Sequence, residues 1–106
     1  MEWTWPATRI ANMIRAVTHP FPGAFVGDGQ ERIFLWAGSI FPGFAPRAEP
    51  GTLLEIRPAE GLAVATGDGA LLLRRVQSAG VAEEPADIWA LRRGLHPGAR
   101  LIPDSS

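Results

Sequence analysis

The 106-residue chain has no cysteine. That excludes disulfides, thiolate metal sites and a cysteine nucleophile. Histidine occurs twice, at His19 and His96, too far apart for a local His-based metal motif. Lysine is absent, so all ten basic residues are arginine. Each guanidinium can make planar, bidentate contacts to phosphate or carboxylate. Alanine, glycine and proline are also abundant, however, and a compositional bias accounts for the arginines. No apolar run approaches the ~20 residues of a membrane span. The N-terminal "MEWTWPATR" lacks the basic start and apolar stretch of a secretory signal. The expectation is a cytoplasmic protein with no membrane partner. A basic excess is missing too: a net charge of −1 and a pI near 6.1 leave no electrostatic footprint for nucleic acid.

A 46% hydrophobic share with 20% charged residues fits one globular domain over residues 1–106, with a core at 2–101 and a tail at 102–106. Thr4 can cap a helix over about residues 5–17, with Pro6 in its first turn. Ile10, Met13, Ile14 and Val17 follow the amphipathic i, i+3, i+4, i+7 spacing, and Pro20 and Pro22 end the helix. "AFV", the Gly27-Asp28-Gly29 turn and "ERIFLWAGSI" read as a first hairpin. The stretch 41–51, with three prolines and two glycines, cannot be regular structure. "TLLEIR" (52–57), "LAVAT" (62–66) and "ALLLRRVQ" (70–77) read as three more strands, the last two joined by Gly67-Asp68-Gly69. Pro85 starts a short helix over about 86–93 that offers Ile88, Trp89 and Leu91 to the core, and Gly94 stops it. Residues 95–102 read as extended.

The expected fold is therefore mainly β: a five-stranded OB-like barrel with a leading N-terminal helix and a short C-terminal helix. An open five-stranded sheet with the helix on one side is the alternative. In the second strand Ile33, Leu35 and Ala37 share one face, and Phe34 and Trp36 the other, for which helix one could provide cover.

Catalytic motifs are absent from this reading. Each Gly-Asp-Gly triplet has one carboxylate, too few for a calcium loop, and turn chemistry explains both. Ser39 and Ser78 show no nucleophile-elbow pattern. Glu83-Glu84, followed by Pro85, reads as an exposed loop rather than an acid/base pair. Trp36 and Trp89 fall on apolar faces, whereas Trp3 and Trp5 straddle the start of helix one and read as packing residues. His19 stands in a stiff corner, "THPFPGAF", where a turn hydrogen bond is its ordinary role.

Taken in order, "EWTWPATRIANMIRAVTHPFPGAF", "FLWAGSI", "PGTLLEI", "GLAVATGDGALLLRRVQ" and "GLHPGARL" resemble the C-terminal domain of folate-dependent formyltransferases over about residues 2–101. That family includes methionyl-tRNA formyltransferase and sugar-nucleotide formyltransferases such as the one acting on UDP-4-amino-4-deoxy-L-arabinose. The resemblance implies an OB-like fold. It also implies that the catalytic Asn, His and Asp, and the formyl-tetrahydrofolate site, belong to a preceding Rossmann-like domain. His19 is then not the catalytic histidine, and this chain holds no catalytic residue or cofactor of its own. Its implied partner is the catalytic formyltransferase domain, faced by helix one and the corner through Arg15, His19, Phe21, Pro22 and Gly23. The low charge and the version of the corner motif favour an amino-sugar nucleotide as acceptor, in a lipopolysaccharide-modifying enzyme, and make nucleic acid an unlikely partner. The alternative is a tRNA-binding OB module using Trp3, Trp5, Arg9 and Arg15.

Overall fold

The computed structural model describes residues 3–16, 24–27, 32–41, 48–78 and 82–101, with the backbone alone at 24–27 and Arg32. The elements run α1 (Ala7–Ala16), β1 (Ala24–Gly27), β2 (Arg32–Ile40), β3 (Leu53–Arg57), β4 (Gly61–Ala65), β5 (Ala70–Ser78), β6 (Glu84–Pro85) and α2 (Ala86–Arg92). The strands form one antiparallel sheet in the order β1-β2-β5-β4-β3, and β6 adds to β5. The mainly-β class with a helix at each end is the one expected. Among the described residues no pairing joins β1 to β3, so the sheet is a path rather than a demonstrated ring.

The interior is one cluster. Ile10 and Ile14 from α1 meet Ile33 and Leu35 of β2, Leu53 of β3, Leu62 and Val64 of β4, Leu71, Leu73 and Val76 of β5, and Trp89 of α2. Helix α1 is thus part of the Ile33/Leu35 core rather than a cover for Phe34 and Trp36. Those two rings stack on one another at 6.0 Å, and Trp36 Nε1 donates to Gln77 Oε1 at 2.8 Å. The simple alternation of β2 fails beyond Leu35, because Leu35 pairs with Val76, Ala37 with Arg75 and Gly38 with Leu73. The register shifts flip the later residues, so Gly38 lies under Ile14, whose Cδ1 is 3.2 Å from where a Cβ would stand.

The N-terminal segment is strapped to the β4–β5 turn. Gly67 N–H donates to the carbonyls of Trp3 and Trp5 at 2.9 and 3.1 Å, and Ala7 N–H donates to Asp68 O at 2.9 Å. Thr66 Oγ1, inside the same turn, donates to Asp68 O and Gly69 O. Helix α1 starts two residues later than expected. Pro6 supplies its first acceptor, to Arg9 and Ile10. At the other end of the chain, residues 98–101 run along the outer edge of β3. Gly98 N–H donates to Leu53 O, Leu53 N–H to Ala99 O, and Leu101 N–H to Gly51 O. Over 95–101, the described part of the stretch expected to be extended, there is instead a turn and a single bridge, Thr52 to Arg100.

Helix α2 ends as Gly94 predicts. Gly94 has φ +71, Leu95 N–H donates to Ala90 O and Gly94 N–H to Leu91 O, the paired bonds of a Schellman cap. An alanine there must adopt the left-handed conformation, so Gly94→Ala should cost about 1 kcal/mol and lower the melting temperature by roughly 4–8 °C. An unchanged melt would show that the cap contributes nothing. Two expectations for α2 fail: Ile88 is 51% and Leu91 63% exposed, while Ala86, Trp89 and Ala90 face inward. Glu83-Glu84 is not a free loop either. Glu84 and Pro85 form β6 against Val76 and Arg75, which sets the direction in which α2 leaves the sheet.

Candidate functional site

The residues singled out from the sequence scatter in the fold. His19, Phe21, Pro22 and Gly23 lie outside the described residues, as do Asp28 and Gly29 of the first Gly-Asp-Gly turn, although β1 and β2 pair as its hairpin requires. Arg15 is exposed in the last turn of α1, where a cation suits the negative helix end. Its Nη2 donates to Asn12 Oδ1 at 2.7 Å. Trp3 is buried, 8% exposed, with Cδ1 3.1 Å from where a Cβ on Gly51 would stand. It is a packing residue, which removes it from the surface set. Trp5 is half-buried, and the Arg9 guanidinium carbon lies 3.8 Å from its ring centroid.

The structure thus places Arg9, Asn12 and Arg15 on α1, with Trp5, just before the helix, against Arg9. Steps of three residues make Arg9, Asn12 and Arg15 successive neighbours on the helix surface, and the inward side carries Ile10 and Ile14. Asn12 was not singled out from the sequence, though its position three residues after Arg9 carried the signal. No Asp or Glu occurs within α1, so the helix contributes two positive charges and no negative one.

Elsewhere the polar groups hold structure. Glu83 pairs with Arg75 and Glu84 with Arg92, so the two adjacent carboxylates are each committed to an arginine. Arg57 bridges Glu55 and Glu60 at 3.3 Å each. The Glu60 hydrogen bond, followed by that residue's charge, raises the Arg57 pKa above its ordinary value. Arg100 binds Glu49 at 2.6 Å. Asp87, buried in the first turn of α2, accepts from Ala59 N–H at 3.0 Å and so holds a turn in which Ala59 has φ +65. Ser78 Oγ accepts from Trp89 Nε1 at 3.1 Å. His96 Nδ1 is 3.1 Å from Pro97 O. Among the described residues no group of three His, Cys, Asp or Glu side chains could hold a metal ion, and no helix is long and apolar enough to cross a membrane.

A family model for the formyl transferase C-terminal domain matches residues 1–100. The chain belongs to that family. A formyl transferase C-terminal domain is what the ordered motifs implied, and the antiparallel sheet flanked by two helices is its form in this chain. Among curated proteins it is 40% identical over 103 residues to a methionyl-tRNA formyltransferase of Symbiobacterium thermophilum, covering 97% of this chain. It is 45% identical over 105 residues to a methionyl-tRNA formyltransferase of Methylobacterium nodulans, covering 95% of this chain. In both cases the formyl transferase C-terminal domain spans 31% of the relative's length.

Proposed function

We propose that this domain is the accessory domain of a methionyl-tRNA formyltransferase and contributes affinity for the tRNA acceptor. Formyl transfer itself, with formyl-tetrahydrofolate as donor, is assigned to a catalytic formyltransferase domain that acts as its partner. The observation that carries the reading is that both relatives, matched over nearly all of this chain, bear that name. It supports the RNA acceptor over the amino-sugar nucleotide. The sugar reading leaned on "THPFPGAF", most of which lies outside the described residues, and on a net charge summed over the whole chain. A sum of −1 is compatible with a helix carrying two arginines and no acid.

The test is a titration of the purified chain with bulk tRNA across salt concentrations. Binding should be measurable near ~50 mM salt and fall linearly in log K against log salt as phosphate counterions are released. A UDP-sugar should leave the melting temperature unmoved, because a ligand of the native state raises it. No binding of tRNA at low salt, or a clear shift with the sugar nucleotide, would return the assignment to the sugar enzymes.

A further inference from the structure

The buried tryptophans differ at the indole nitrogen. Trp36 Nε1 donates to Gln77 Oε1 and Trp89 Nε1 to Ser78 Oγ, whereas Trp3 Nε1 is enclosed with no acceptor. Arg100 Nε stands beside the same Gly51, 3.7 Å from where a Cβ would lie, but a guanidinium only donates and cannot relieve the indole. Burial of the ring stabilises the strap at residues 3–6, and the unmet N–H offsets part of that gain. On leaving its site the indole would lose apolar burial and gain water as an acceptor. The backbone is arranged for a break at one point. Gly67 N–H is shared between the carbonyls of Trp3 and Trp5. Just beyond them, Pro6 O accepts from Arg9 and Ile10, and Ala7 N–H donates to Asp68 O, so the start of α1 is held independently of residues 3–5. The β4–β5 turn also closes on itself, through Thr66 N–H to Gly69 O and Thr66 Oγ1 to Asp68 O.

From this we infer that residues 3–5 form a latch that opens about Pro6 while α1, the β4–β5 turn and the sheet stay folded. Thr4 is exposed and Trp5 half-buried, so the Trp3 ring is the side chain that seats the latch. Gly67 receives it, because only a residue without a Cβ leaves room for the Thr4 carbonyl. The pyrrolidine ring fixes φ at Pro6, so the movement falls on the residues before it. Opening of this kind is local unfolding, and it draws on the least stable contacts of a fold. The use of the latch rests on the accessory-domain reading above. A catalytic domain joined ahead of Trp3 is held in one orientation while the latch is closed, and swings from Pro6 when it opens.

Native-state amide exchange in the purified chain, corrected for intrinsic rates, tests the latch. The Gly67 amide should exchange roughly a hundredfold faster than that of Ala65, whose N–H donates to Thr52 O. The amides of Ala7 and Thr66 should stay with the slow class. Replacing the Trp3 indole N–H by sulfur, in a benzothienyl ring of the same shape with no donor, should slow Gly67 exchange roughly tenfold and raise the melting temperature. Gly67 exchange as slow as that of Ala65 would mean that the strap opens only with the whole domain. Ala7 or Thr66 exchanging along with Gly67 would mean that the entire turn frays, and either result overturns the latch. Exchange that is unchanged or faster in the sulfur analogue would remove the unmet N–H as its cause and overturn it too. In a full-length enzyme carrying this domain, Gly67→Ala holds the latch open and should shorten the rotational correlation time of the domain's amides. An unchanged correlation time would overturn the swing. The exchange measurements involve no RNA, so the latch and the tRNA reading fail separately.

Discussion

Trp89→Ala is expected to lower the melting temperature of the domain by roughly 15–30 °C. The indole is fully buried at the junction of α2 with the sheet and belongs to the same core as residues from α1 and from β2 to β5. Truncating a buried tryptophan costs about 3–5 kcal/mol, because lost apolar burial is joined by a cavity that the surroundings only partly fill. In a domain of this size each kcal/mol is worth several degrees. The polar end adds to the loss, since Nε1 donates to Ser78 Oγ on the last residue of β5. Trp89→Phe keeps most of the ring and should cost about a third as much. Circular dichroism melts measure both, and a drop below about 5 °C for the alanine variant would show that α2 is peripheral to the core.

Gly67→Ala should be nearly as damaging, for a different reason. A Cβ at Gly67 would lie 1.7 Å from the Thr4 carbonyl oxygen and 2.6 Å from its carbon. Both are backbone atoms, so relief requires the strap at residues 3–6 to lift away. That breaks the Gly67 N–H bonds to Trp3 and Trp5 and uncovers the Trp3 ring. The expected cost is about 3 kcal/mol, the upper end for overpacking with lost hydrogen bonds. Gly69→Ala is the control. Gly69 has φ +81 but only Ala7 Cβ nearby, at 3.7 Å, so backbone strain alone applies and about 1 kcal/mol is lost. Thermal melts and the tryptophan emission maximum read the pair. Equal costs at the two glycines would mean that turn conformation matters here and close approach does not.

That comparison marks where the sequence was legible. Gly-Asp-Gly between two aliphatic runs announces a tight connection, and the strands on either side were found within a residue or two of their observed ends. The signal does not say why the first glycine is needed, because the reason is a backbone that arrives from more than sixty residues away. The same limit applies to charge. Arg100 and Glu49 are 51 positions apart, Arg75 and Glu83 are eight apart around the β5–β6 connection, and Arg92 reaches back eight positions from the end of α2 to Glu84 of β6. Periodicity cannot tell which arginines are cancelled, so a whole-chain sum stood in for a surface and pointed away from nucleic acid. In α2, seven residues make too few turns to fix which side faces inward, and Ile88 and Leu91 were assigned to the core although they face water. Strand β6 was invisible for a local reason, since two glutamates before a proline look like a loop until β5 pairs with them.

Gly51 has a role that only the three-dimensional arrangement reveals. Trp3 packs against its α-carbon, and Leu101 N–H donates to its carbonyl. The first and last parts of the described chain therefore converge on a single residue. The polypeptide between them is a ring in everything but a covalent joint. Whatever displaces Gly51 therefore disturbs both ends of the described chain at once.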